Sequence, residues 1–149
     1  IEKDFAEWMQ FGKKELVVTE TAFVSFGEKA TEYSYAMMAK ITALVMAHDL
    51  DVMIGDTTST DHYASIGGFE NLETFLPPDV LALVQARLYY AKDENGKEYA
   101  CAIDLSGTEF AEGSNLSQDT PLLGLVAGSQ RTDHSIALIR YIFDPSVTK

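Results

Sequence analysis

One cysteine, three histidines and four prolines are all that a chain of 149 residues holds of those types. With Cys101 alone, no internal disulfide forms and a disulfide framework is excluded. An extracellular location stays compatible with that count. A lone Cys inside an alternating strand reads as a small buried hydrophobe. The single Cys and three His give no zinc-ligand spacing, and neither common kind of Gly-rich phosphate loop is present, so no cofactor is expected. No apolar run approaches the roughly 20 residues of a membrane span. Positive charge is also short, with 11 basic residues against 23 acidic and a net charge of -12. Neutralising phosphate takes a basic surface, so nucleic acid is not an expected partner, nor is an anionic membrane surface. The acidic excess serves solubility.

Hydrophobic content of 46% and aromatic content of 11% suit a globular chain. Its length predicts one domain over residues 1–149 with a single core. The first residue is Ile1 rather than Met, so a fragment of a longer chain is expected.

Residues 31–56 organise the rest. Met37, Ile41, Leu44, Val45 and His48 fall on one face of a 3.6-residue helix. Val52, Met53 and Ile54 follow, too apolar for a half-exposed strand, and predict a strand covered on both faces. A helix feeding a covered strand reads as half of a βαβ unit and predicts a parallel sheet.

Around this stretch, residues 1–11 read as a helix, with Gly12 suited to cap it. Residues 15–26 are β-branched and aromatic, a strand at least through Leu16, Val17, Val18 and Thr19. Gly55 to Thr60 is a turn crowded with helix-capping residues, with a short helix expected over 60–66, stopping at Gly67-Gly68. Residues 69–76 read as irregular. A helix is predicted from Pro77 through Arg87. Asn95-Gly96 between residues 88–92 and 98–105 predicts a hairpin, with Tyr99, Cys101, Ile103 and Leu105 alternating against Ala100, Ala102 and Asp104. Residues 106–121 read as a loop, 122–127 as another covered strand, and 132–143 as a final helix with Thr132 as its cap, ended by Asp144-Pro145.

Candidate chemistry is sparse. The cluster Asp56, Thr57, Thr58 and Ser59 caps a helix or binds a polar ligand through free backbone N–H groups. Asp56, Asp61 and His62 could hold a metal, though capping and solvation suit them better. Residues 93–96 lack the remaining ligands of a calcium loop. His134, His62 and an Asp104–Glu109 pair are the acid–base candidates. Tyr89, Tyr90 and Tyr99 suit cross-strand packing.

Three segments together resemble extracytoplasmic solute-binding proteins of bacterial ABC transporters. The first is the helix leading into LDVMIGD and HYASIGGFENLETFLP, where Asp51, Val52, Tyr63, Ala64, Gly67, Phe69 and Leu72 match the family pattern, with Gly68 extra. The second is the hairpin with YACAIDLSG. The third is LLGLVAGSQRTDHSIALIRYIF, with Gly124, Ser129, Ala137 and Tyr141 in register. The order of these segments covers most of residues 31–143. Such proteins have two lobes. A second lobe does not fit between Leu105 and Pro121, so the resemblance covers the first lobe only. It is closest to small membrane-anchored extracellular proteins of Gram-positive bacteria that keep this lobe.

The resemblance implies an α/β fold, a mixed, mostly parallel sheet with helices on both faces, like one lobe of a type 2 periplasmic-binding-protein fold. It implies a non-enzymatic, solute-binding-like domain on the extracellular face of the membrane, anchored by a segment not present here. In a first lobe an opening central strand precedes residue 1, so disturbed strand order and pairing between chains, a homo-oligomer, are expected. Ligands in open α/β sheets sit beyond the carboxyl ends of strands. That places ligand binding at Thr19 and Glu20, at Asp56, Thr57, Thr58 and Ser59, and at Gly128, Ser129 and Gln130. The partner is then a small solute. The alternative is a cell-surface interaction module with a protein partner and an exposed aromatic patch near Tyr89, Tyr90 and Phe110. A third is a hydrolase using His134 or His62.

Overall fold

Helix boundaries follow local chemistry. The computed structural model describes residues 2–10, 18, 24–114 and 120–147. A first helix, α1, spans Glu2–Trp8. Gln10 follows with φ 56°, a left-handed residue that stops the helix. Helix α2, Glu32–Met46, starts at Thr31, whose hydroxyl accepts from the Ser34 backbone N–H at 3.1 Å. Helix α3 spans Thr57–Ser65 and starts three residues before the expected position. Asp56 takes the cap there, its carboxylate accepting from Ser59 N–H at 2.8 Å.

Two stretches expected to lack regular structure hold single capped turns. Asn71 caps α4, Leu72–Phe75, and Thr108 caps α6, Glu109–Gly113. Between them, α5 spans Pro78–Val84 and tightens into a 3-10 turn over Gln85–Arg87. The last helix, α7, spans Thr132–Phe143; the cap position falls on Arg131, without a side-chain cap bond, rather than on Thr132. The strand expected around 16–19 and the Gly12 cap lie outside the described residues, apart from Val18, which is exposed and in no strand.

Among the described residues four strands form one sheet: β1 Val52–Gly55, β2 Leu88–Lys92, β3 Glu98–Asp104 and β4 Leu122–Leu125. The order is β1-β4-β3-β2 and every pairing is antiparallel. This corrects the mostly parallel sheet. Val52 pairs with Leu125 and Gly55 with Leu122, so the two covered strands expected to run parallel are neighbours running in opposite directions. An uninterrupted apolar run reports that both faces of a strand are covered. It carries nothing about the direction of the neighbour. The α/β class holds, with helices on both faces.

One face packs Val52, Ile54, Ile103, Leu123 and Leu125 against α1, α4, α5, α6 and α7. The other packs Met53, Cys101, Ala102 and Leu122 against Tyr63 and Ala64 of α3 and Ile41 of α2. The hairpin does not keep simple alternation. Tyr90 pairs with Ala100 and Tyr89 with Ala102, leaving Cys101 as the extra residue of a β-bulge. The bulge sends Tyr99 and Cys101 toward α3 but Ile103 and Leu105 toward the other layer. Burial pushes the Cys101 thiol up to about 11.

The centre of the sheet is β4, buried along its whole length. Beyond β3's reach its second edge is finished by residues 68–70. Glu70 N–H donates to Leu125 O at 2.9 Å, Ala127 N–H donates to Gly68 O at 2.9 Å, and Phe69 bridges Val126. The Phe69 ring lies so close that a Cβ at Gly124 would meet it at 2.6 Å. A Cβ at Gly68 would meet Tyr63 O at 2.8 Å.

Gly124→Ala and Gly68→Ala are each expected to destabilise the fold by about 1–3 kcal/mol, the usual cost of overpacking. Gly113→Ala has open space around it and serves as control. Urea unfolding midpoints decide the matter, and three equal midpoints would refute the close packing.

Candidate functional site

The predicted ligand residues do not converge. Because β1 and β4 are antiparallel, the carboxyl end of one lies beside the amino end of the other. Asp56, Thr57, Thr58 and Ser59 stand at the carboxyl end of β1. Gly128, Ser129 and Gln130 stand at its amino end, separated from the first group by roughly 15 Å of extended strand. Thr19 and Glu20 lie outside the described residues. At the α3 end the Asp56 carboxylate is engaged in its own helix cap, while Thr57 and Thr58 are exposed.

At the other end Gly128 and Ser129, two of the expected ligand residues, join His48, Asp51 and Arg131 in a clasp. His48 has φ 59° and turns the chain out of α2. Its Nδ1 donates to the Gly128 carbonyl at 2.8 Å. The Asp51 backbone carbonyl accepts from Val126 N–H at 3.0 Å. The Asp51 side chain takes the Ser129 hydroxyl at 2.5 Å on one oxygen and Arg131 Nε at 2.8 Å on the other. Arg131 Nη2 donates to His48 O at 2.9 Å. The hydrogen bond that Arg131 donates to Asp51, then the charge of that carboxylate, raises the Arg131 pKa against the opposing effect of burial. Ser129 is thus a joint between the α2–β1 and β4–α7 connections, with its hydroxyl already committed. One signal was available: arginine is scarce, with only Arg87, Arg131 and Arg140 in the chain.

On the α3 face, aromatic groups gather. The Phe26 and His62 rings are 4.4 Å apart and Tyr63 meets both edge-on. Tyr89 donates its hydroxyl to Asp61 at 2.8 Å. Burial, then that carboxylate, pushes the Tyr89 phenol up to about 12. Burial does the same to Tyr99. The Tyr63 hydroxyl is buried without a hydrogen-bond partner among the described residues. The expected patch of Tyr89, Tyr90 and Phe110 does not assemble. Tyr90 is exposed, whereas Phe110 is buried in the opposite layer, because Thr108 caps α6 and turns Phe110 inward.

Of the acid–base candidates, Glu109 borders a surface depression. Asp104 accepts from Ser106 N–H in a local turn. A depression of about 430 Å³ is lined by Glu109, Ile142, Phe143, Asp144, Pro145 and Val147, and neither His62 nor His134 borders it. At the hairpin tip, Asp93 accepts from Asn95 and Lys97 N–H. Among the described residues no group of three or more His, Cys, Asp or Glu could hold a metal, and no helix is long and apolar enough to cross a membrane.

The remaining feature is a surface. Helix α2 carries charge only at Glu32 and Lys40 along 15 residues, and Ser34 is its one buried residue. Tyr33, Tyr35 and Met46 are 54%, 61% and 77% exposed. Ala36, Ala39 and Ala43 lie exposed on the same helix, and Met37, Ile41, Leu44 and Val45 are only half-buried. Among the described residues, strand β1 is the edge of the sheet, and it is half-buried at all four positions. Asp51 O faces β4, so in an antiparallel ladder Met53 and Gly55 face it too. Val52 and Ile54 then turn N–H and C=O outward.

In comparisons with known proteins, no family model, curated protein or solved structure matches the chain.

Two outcomes test this geometry. In a double-mutant cycle, Asp51→Asn and Arg131→Gln should couple by about 1 kcal/mol, a half-exposed pair being screened by solvent; additive effects would dismiss the clasp. The raised phenols mean that the folded state holds those protons more tightly. Stability should therefore be unchanged by them below the ordinary value of 10.0 and decline as pH rises toward about 12. In ultraviolet titration Tyr89 and Tyr99 should ionise last, and Asp61→Asn should lower the Tyr89 step alone.

Proposed function

We propose that this chain is a non-enzymatic, extracytoplasmic binding lobe of the solute-binding-protein kind, whose working surface meets another protein rather than an enclosed small solute. The resemblance to a first lobe supports the location, the outer face of the cell membrane, with the anchor in a segment outside this chain. The observation that carries the partner class is α2. In a chain of net charge -12, this helix displays Tyr33, Tyr35 and Met46 with only two charged residues. Large exposed apolar side chains gathered on one helix are the kind of surface that interaction sites use. Tyrosine and methionine are also the side chains that interfaces favour.

Two facts count against an enclosed solute. The residues expected to bind it are divided between opposite ends of β1, and the Asp56 carboxylate and Ser129 hydroxyl already have protein partners.

The test is a thermal-shift screen at millimolar concentration against sugars, amino acids, short peptides, polyamines and divalent metals. A ligand at about 100 times its dissociation constant adds roughly 2.7 kcal/mol, a plain shift. The expected result is no shift. A class-specific shift that Asp56→Asn or Ser129→Ala removes would overturn this reading in favour of a solute site.

A further inference from the structure

We infer that the partner of this surface is a second copy of the same chain, joined edge to edge through β1; the inference rests on the reading of the chain as an interaction lobe and names its partner. The backbone makes the first demand. Val52 and Ile54 present two N–H and two C=O groups outward from the open edge of the sheet, and no bond to a described residue takes them up. An unpaired edge of this kind is a template for another strand. Native edges are usually guarded by proline, lysine, a bulge or a covering segment. The sequence Val52-Met53-Ile54-Gly55 has none of the first two, and its register with β4 runs without a shift.

The edge is complementary to itself. Two copies related by a twofold axis through Met53 set Val52 of one against Ile54 of the other, twice. The outward groups then form four N–H···O=C bonds. Every described pairing in the sheet is already antiparallel, so a second copy continues the pattern into one sheet of eight strands. The same register decides the charges. Asp51 of one copy comes opposite Gly55 of the other, Asp56 opposite Leu50, and Asp49 opposite Thr57. No carboxylate faces a carboxylate, which matters when each copy carries -12.

The side chains agree with the backbone. Met53 lies on the face that carries α2, packed with Ile41. A twofold axis perpendicular to the sheet keeps that face common to both copies, so each brings its α2 to the same side. Met53 meets Met53 at the axis, where a flexible thioether adapts its packing. Ala36, Ala39 and Ala43 are small enough to let one helix approach another closely, with Tyr35 and Met46 beside them.

Sedimentation of the whole chain tests this, compared with Val52→Pro. Proline at 52 removes one outward N–H per copy, two of the four cross-copy bonds, and leaves the β4 ladder intact. The expected result is a dimer with a dissociation constant in the micromolar range, weakened at least about tenfold by Val52→Pro. A wild-type chain that stays monomeric up to about 1 mM overturns the inference, as does a dimer that Val52→Pro leaves unchanged. Should that variant fail to fold, amide exchange of the wild type decides alone. Protection of the Val52 and Ile54 amides must grow with protein concentration; concentration-independent exchange at both sinks the proposal. A dimer whose Val52 and Ile54 amides stay open, or a monomer in which only an added foreign strand protects them, also overturns the second-copy inference while leaving the interaction reading in place. A solute-induced shift in the thermal screen removes that reading whatever the sedimentation shows.

Discussion

Strand β4 can be buried on both faces because its backbone is paired along both edges. A buried amide without a partner costs as much as a lost hydrogen bond, and β4 has no water to turn to. Along one edge it has β1 from end to end. Along the other it has β3 for two residues only, Leu123 with Ile103 and Leu122 with Asp104. Residues 68–70 take over where β3 departs. That substitution explains two glycines at once. Gly68 lets the chain turn under Tyr63 O, and Gly124 lets the Phe69 ring lie flat against the strand. Gly68 is the residue that this second edge requires.

The scarce arginines fix what the sheet leaves loose. Arg131 ties the α2–β1 and β4–α7 connections together at one end of the β1–β4 pair. Arg140 on α7 pairs with Asp79 on α5 at 2.7 Å, and its hydrogen bond holds the Asp79 carboxyl below its usual range. Arg87 donates to the carbonyls of Asp104 and Ser106 and lies over the Phe143 ring. Each joins segments far apart in sequence. The acidic residues serve more locally, as helix caps and turn formers at Asp56, Asp93, Asp104 and Asp144. The finished part of the molecule lies on the β2–β4 side of the sheet. On the β1 side, α2 and the strand edge are half covered, and the proposed interaction lies there.

Sequence and structure part company at particular residues. The hairpin at Asn95-Gly96 and the final helix were legible, because a turn dipeptide and a 3.6-residue stripe are local signals. Helices α4 and α6 were missed: four- and five-residue turns are too short for periodicity, and only Asn71 and Thr108 marked them. The bulge at Cys101 was invisible, since Tyr99 to Leu105 alternates in sequence whether or not one residue is looped out. The ligand residues were assigned on the assumption of parallel strands, so their separation follows directly from the antiparallel pairing of β1 with β4.

The sequence by itself determined the α/β class, an apolar strand after α2, a covered strand before α7, and most helix positions. These depend on apolar period, capping side chains and turn residues within a few positions of one another. It also determined the acidic surface, which is a matter of counting. Tertiary structure alone decided strand direction, the pairing of residues 68–70 with β4, the Asp51–Arg131 clasp and the open edge of β1. Each of these depends on which distant segment supplies a hydrogen-bond partner, and a run of apolar residues is the same whichever way its neighbour runs.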